Sequence, residues 1–157
     1  MLSIIVPARN DAAMTESCLK SAIYSVSKLK LACEFILIDD DAAASEKIPD
    51  VFRRCRAGGA PHQFKIIRSR KHQHYTGVFS IGLHFATKDL VFFLSNDMLV
   101  TPSFIEAQLM VSALSPQFGI VRGTSNYTDS HPGRQPFDAG DGRDRIYECL
   151  SDRAFLP

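Results

Sequence analysis

Short runs of consecutive apolar residues alternate along this chain with stretches whose apolar residues recur at helical spacing, and this alternation constrains the fold most. Leu2-Ser3-Ile4-Ile5-Val6 is a β-branched run stopped by Pro7, and it reads as a buried strand. Leu19, Ala22, Ile23, Val26 and Leu29 then fall on one face of a helix, with Thr15 as the expected N-cap. Glu34 to Ile38 forms a second strand that ends abruptly in Asp39, Asp40 and Asp41. A helix over residues 49–56 opens on Pro49 and closes on Gly58-Gly59. A third strand follows at 64–67 and a third helix at 76–86. Leu90-Val91-Phe92-Phe93-Leu94 carries the strongest strand signal, is expected to be the most buried strand, and is closed by Ser95-Asn96-Asp97. Thr101 and Pro102, as N-cap and first-turn proline, start a helix through Leu114, and residues 118–122 read as a fifth strand.

Repeated strand-helix-strand units imply an α/β fold, a mostly parallel sheet with helices on both faces. Ligands of such sheets bind beyond the carboxyl ends of the strands. That rule directs attention to residues 7–11, 39–41 and 95–97. Beyond Arg122 the texture changes. Residues 123–143 are rich in Gly, Ser, Asn, Asp and Pro without a hydrophobic period, the pattern of a long loop. A short helical pattern at Ile146, Cys149 and Leu150 follows.

Lys and Arg number 18 against 17 Asp and Glu, which removes any global electrostatic case for nucleic acid or an anionic membrane. The basic residues do cluster: Arg53, Arg54, Arg56, Lys65, Arg68, Arg70 and Lys71 lie close together in sequence. A solvated helix face is one reading of that cluster and a mouth for an anionic substrate is the other. Cys18, Cys33, Cys55 and Cys149 lack zinc-ligand or C-x-x-C spacing and read as reduced core residues. No signal-peptide pattern opens the chain, and no apolar run approaches the ~20 residues a membrane span needs. The expected setting is the cytoplasm, with peripheral contact at the inner face of the membrane left open.

The acids at strand ends carry the chemistry. Asp39 and Asp40 either cap a turn or accept hydrogen bonds from a nucleoside, whose base N–H or ribose hydroxyl a carboxylate can receive. Asp97 stands beside Ser95 and Asn96, two further hard oxygen donors. Such a set suits Mg²⁺ or Mn²⁺, which bind through one or two carboxylates plus substrate phosphates. His72 and His74 are read as exposed loop residues without nearby acids, a metal pair being the other reading, and His84 as a partly buried packing residue.

These residues resemble family 2 glycosyltransferases of the GT-A type. Ser3-Ile4-Ile5-Val6-Pro7-Ala8-Arg9-Asn10-Asp11 is similar to that family's opening S-I-I-[IV]-P-x-[YR]-N. Cys18-Leu19-x-Ser21, Phe35-Ile36-Leu37-Ile38-Asp39-Asp40, Gly82-Leu83-x-x-Ala86 and Phe92-Phe93-Leu94-Ser95-Asn96-Asp97 resemble four further family motifs, in family order. The resemblance implies a Rossmann-like GT-A domain and a nucleotide-diphospho-sugar donor. It places Asp39 or Asp40 on the base or ribose, and Pro7, Ala8, Arg9 and Asn10 along the base. Arg9 stands where many members have Tyr, and a guanidinium can stack on a flat ring. Asp97 matches the last acid of the family's DXD motif, which holds the metal bridging the diphosphate.

Ser95 replaces the first acid of that motif, Phe79-Ser80 stands where an Arg-Asn pair is common, and Ser125-Asn126 loosely resembles members that build surface polysaccharides. Residues 1–125 are accordingly expected to form the donor-binding core. Residues 126–157 are expected to form a loop and short helix beginning an incomplete acceptor region. An inverting transfer needs a base, for which Asp129, Asp138, Asp141 and Asp144 are the candidates. A homodimer across an exposed sheet edge is a further possibility. A module that binds donor without turnover is the alternative. A receiver domain would need acids after the first strand, and a dinucleotide domain a Gly-rich first turn; neither is present.

Overall fold

The strand from Leu2 to Ala8, β1, organises the sheet. In the computed structural model the described residues are 1–40, 42, 47–59, 61–115, 117, 119–121 and 123. They form β1, α1 (Ala12–Lys28), β2 (Cys33–Asp39), α2 (Ile48–Gly58), β3 (Gln63–Arg68), α3 (His74–Phe85), β4 (Leu90–Phe93) and α4 (Pro102–Leu114). The strands pair in parallel in the order β3-β2-β1-β4. Right-handed crossovers explain the layering. Steps from β1 to β2 and β2 to β3 run one way and place α1 and α2 side by side. The return from β3 to β4 carries α3 back over β2 and β1, on the opposite face.

Strand register sorts the core into two layers. Ile5 lies opposite Ile36 and, with Ile38, packs under Val78 and Phe79 of α3. Residues of the other parity carry the second layer: Phe35 stacks on Phe64 at 5.1 Å between centroids, and Phe64 meets Phe52 of α2 edge-on. The approach of α3 to β1 is set by Gly82, where a Cβ would lie 2.4 Å from Ile5 Cγ2.

Several expectations change. β1 runs through Pro7 to Ala8, because pairing with β4 ends at Ile5 and the missing Pro7 N–H faces the side where no ladder continues. Asp11, not Thr15, caps α1: its carboxylate accepts from Met14 N at 2.9 Å. Thr15 is buried one turn inside the helix and donates to Asp11 O. β4 is not the most buried strand. It is an edge strand of the described sheet with Leu90 42% and Phe93 45% exposed, while β2 is buried throughout. Continuous apolarity identified a strand but could not rank its burial. Finally, residues 119–121 form no strand, and positions 118 and 122 lie outside the described residues.

Glu34 was not anticipated as a structural centre. It is completely buried beside Ser3, accepting from Ser3 Oγ at 2.8 Å and from Thr87 N and Oγ1 at 3.0 Å, and pairing with Lys65 at 2.6 Å. Cys18, Cys33 and Cys55 are buried free thiols, as expected. His84 is exposed on α3 rather than packed. Among the described residues no helix is long and apolar enough to cross a membrane.

Two compact units divide the chain, Met1–Pro102 and Ser103–Pro157. Within the second, Gly123 lies so close to Phe104 that a Cβ would come within 2.4 Å of the ring. The expected loop at 123–143 beyond Gly123, the helix near Ile146, Ser125-Asn126 and the candidate bases Asp129, Asp138, Asp141 and Asp144 lie outside the described residues.

Two predictions follow from the packing. Gly82→Ala should destabilise the fold by about 1–3 kcal/mol through overpacking on Ile5, measured by urea unfolding. Burial pushes the Glu34 carboxyl up, but Lys65, Ser3 and Thr87 outweigh it and bring the value from 4.5 down to about 2. That stabilisation is therefore present above pH 4.5 and is lost as pH falls toward 2. Glu34→Gln should remove this acid-dependent component, up to about 3 kcal/mol, from a pH series of unfolding midpoints.

Candidate functional site

Because all four strands are parallel, their carboxyl ends open on one edge of the sheet. Asp39 closes β2 and lies in register with Ala8 of β1 on one side and Arg68 of β3 on the other. Asp97 follows β4 on the far side of β1. Two strand spacings, ~10 Å, separate the β2 and β4 ends. Between them runs the turn after β1. Ala8 is buried and its carbonyl accepts from Asp40 N at 2.9 Å, while Pro7 is half-buried. Arg9 and Asn10 are exposed, Asn10 with a left-handed φ of 63°, a conformation Asn tolerates better than most residues. Asp11 caps α1 here, so a helix N-terminus also faces this edge.

The two neighbouring acids at the end of β2 differ sharply. Asp39 is fully buried. Its Oδ2 accepts from Arg68 Nε at 2.8 Å, and Arg68 also donates to Ala42 O at 3.2 Å. Its Oδ1 is buried and, among the described residues, has no hydrogen-bond partner. Asp40, 4% exposed, has both oxygens engaged: Oδ1 accepts from Gln73 N at 2.7 Å and Oδ2 meets His72 Nδ1 at 2.5 Å. The expectation of no acid near the His72-x-His74 pair is thereby corrected. Chain distance hid the contact, since Asp40 reaches His72 only because β2 and β3 are adjacent. His74 stands with its ring 4.2 Å from that of His72 and holds a φ of 59°.

At the end of β4, Ser95 and Asn96 are half-buried and Asp97 is exposed. Asn96 Nδ2 donates to Thr15 Oγ1 at 3.0 Å, and Cys18 Sγ donates to Ser95 O at 3.4 Å. Burial pushes the Cys18 thiol far up, and the Asp97 carboxylate adds to the shift, so the sulfur remains a neutral donor that steadies the turn. Asp97 itself makes no hydrogen bond or ion pair among the described residues. Those residues contain no group of three or more His, Cys, Asp and Glu side chains able to hold a metal. A protein-only metal cage is therefore absent among them. One free carboxylate fits a hard cation that takes its remaining ligands from water and a diphosphate.

The basic cluster resolves largely into pairs. Arg54 bonds Glu16 at 2.5 Å, Arg53 pairs with Asp50, Lys65 with Glu34 and Arg68 with Asp39. Arg70 and Lys71 remain exposed on the turn between β3 and α3, beside the site. Gln73 is a site residue that sequence reading did not single out, and Arg68 and His72 were named there without their acid partners. Their signal is the register Asp39 to Arg68, which no single strand discloses.

Three comparisons bear on this geometry. The sequence profile described as Glycosyl transferase family 2 matches residues 3–132. No curated protein matches the chain. Among solved structures, a mannosyltransferase (PcManGT) from Pyrobaculum calidifontis in complex with GDP-Man and Mn²⁺ superposes with a TM-score of 0.60 at 20% identity, over 71% of this chain and 32% of that one. Glucosyl-3-phosphoglycerate synthase from Mycobacterium tuberculosis, in complex with UDP, aligns at a TM-score of 0.47 and 16% identity, over 77% of this chain and 52% of that one. The first superposition gives this chain the GT-A-like α/β fold. The chain spans about a third to a half of the length of these solved proteins.

The bonding contrast at the site sets an expected stability contrast. Asp97→Ala should leave the unfolding free energy within about 0.5 kcal/mol of wild type, whereas Asp40→Ala should cost about 1–3 kcal/mol by stranding its two donors. Equal losses in chemical denaturation would show that Asp97 is tied into the fold.

Proposed function

The chain belongs to glycosyl transferase family 2, and on that premise we propose that it binds a nucleotide-diphospho-sugar along the carboxyl edge of β2, β1 and β4. The sugar is then transferred to a hydroxyl acceptor with inversion. The observation that carries the donor assignment is the bare Oδ1 of Asp39. A buried carboxylate oxygen without a donor costs free energy in the ligand-free protein, and a ligand N–H or O–H removes that cost. A base with a ring N–H, such as uracil or guanine, or a ribose hydroxyl supplies such a donor. Arg9 stacks on the base from the β1 turn, with Pro7, Ala8 and Asn10 lining it. The ~10 Å from the β2 end to the β4 end lets the same molecule place its diphosphate at Asp97.

Asp97 holds a divalent cation, Mn²⁺ or Mg²⁺, together with the diphosphate, and Ser95 and Asn96 offer oxygens beside it. A cation held there would supply Lewis-acid charge neutralisation to the diphosphate. Its relative from Pyrobaculum calidifontis was solved with GDP-Man and Mn²⁺, which supports this donor class. Removal of the acceptor proton falls to a base outside the described residues.

One observation favours a second reading, a module that binds donor without turnover. Ser95 stands where the family motif begins with an acid, which removes one negative charge from the cation site.

Calorimetry with a panel of UDP- and GDP-sugars, with and without Mn²⁺, separates these readings. Metal-dependent binding that is lost in Asp97→Ala and weakened at least tenfold in Asp39→Ala is the expected result. No heat with any donor would overturn the assignment. Binding without donor hydrolysis or transfer would select the module.

A further inference from the structure

The Asp40–His72 contact has no part in the donor site just described, and it sits one residue from the acceptor oxygen on which that site rests. We infer that His72 and Asp40 are positioning residues of the nucleoside pocket: they fasten the turn between β3 and α3 to the end of β2 and do not touch the nucleotide. This inference rests on the donor reading above and assigns distinct roles to two adjacent acids.

The bonds run in one direction. Asp40 is nearly fully buried, and both of its oxygens are spent on the turn, one on Gln73 N and one on His72 Nδ1. Each Asp40 oxygen thus already has a donor, whereas Asp39 Oδ1 has no partner among the described residues. The turn is braced internally: Ser69 Oγ donates to Lys71 O at 2.6 Å, and Gln73 Nε2 donates to Ser69 Oγ and Lys71 O. It is also stitched to Asp39 and its neighbours, with Ser69 N donating to Asp39 O at 2.9 Å and Ala42 N to Ser69 O at 2.7 Å. A braced turn moves as one piece, so its attachment points decide where it stands. At the near end that attachment is Arg68 and Ser69, and at the far end it is Asp40.

The far end carries strain that requires such an anchor. His74, the first residue of α3, holds a φ of 59°, in the left-handed region that a non-glycine residue adopts at a cost of about 1 kcal/mol. Gln73, the N-cap of α3, makes no side-chain cap bond to the helix, and its backbone N–H goes to Asp40 instead. Asp40 thus satisfies an orphan donor at a helix start and places negative charge where the helix dipole favours it. His72 completes the hold by fixing the second oxygen. If the His72 bond is lost, the carboxylate is free to rotate, the turn relaxes from its strained position, and Arg68 no longer sits squarely on Asp39 Oδ2. The consequence falls on the nucleoside and not on the metal end of the donor.

The test uses the full chain and two replacements at one position. His72→Asn retains an N–H donor at the reach of Nδ1, whereas His72→Phe retains the ring and removes the donor. Affinities for UDP and for GDP, each with MnCl₂, are measured by calorimetry beside thermal melts of every variant. His72→Phe should weaken the preferred nucleotide about tenfold, and His72→Asn should restore it to within about twofold of wild type. Affinity that stays lost in His72→Asn although its melting temperature returns to that of wild type overturns the inference. Unchanged nucleotide affinity in His72→Phe overturns it as well, while leaving the donor reading intact. Absence of nucleotide binding by the wild-type chain sinks both, and that outcome is recognisable before any variant is made.

Discussion

Burial of β1 and β2 on both faces is the constraint from which the rest of the structure follows. A parallel sheet covered by α1 and α2 on one side and α3 on the other leaves no water for a charge inside it. β2 nevertheless carries a carboxylate near its start and another at its end, with a third just beyond. Glu34, at the amino end, is met by Ser3, Thr87 and Lys65, which draws the loop before β4 and the start of β3 onto the sheet. Asp39, at the carboxyl end, is met on one oxygen only. The same strand thus shows what a completed buried carboxylate looks like and, five strand positions on by the register with β1, one left open.

That contrast also gives physical content to the rule that ligands bind beyond the carboxyl ends of parallel strands. Helix starts gather there, backbone donors are free, and acids at that edge can be held by neighbouring strands without being fully satisfied. Asp39, Asp40 and Asp97 illustrate three degrees of engagement: half-bonded, fully bonded and unbonded among the described residues. Sequence treats Asp39 and Asp40 as interchangeable. Cross-strand bonding separates them, because only Asp39 lies in the β2–β3 register opposite Arg68.

The strand-helix alternation, the parallel sheet and the three strand ends were legible because each is a local pattern of at most about a dozen residues. Features fixed by distant partners were not. Pro7 read as a strand stop, yet its missing N–H faces a side where β4 pairing has already ended. Thr15 read as a cap, yet Asp11 takes that role and Thr15 is buried, where Asn96 bonds to its hydroxyl. Leu90 to Phe93 read as the most buried strand from apolarity alone, whereas strand order puts it at an edge. The His72 contact was missed for the same reason: 32 residues separate it from Asp40 along the chain.

The exposure of Asp97 bears on how a cation would be held. A single carboxylate in water binds Mg²⁺ or Mn²⁺ weakly, and Ser95 in place of an acid keeps the local charge low. In the proposed function a nucleoside diphosphate alone would likewise be held at this edge mainly through its base end, since Asp97 would repel its phosphates. Together, cation and diphosphate each supply what the other lacks, so in the proposed function their affinities are linked and must rise by the same factor. The buried acids of β2 can be prearranged because strands hold them; in the proposed function the acid after β4 would need no such arrangement, since its ligand would arrive with the compensating charge.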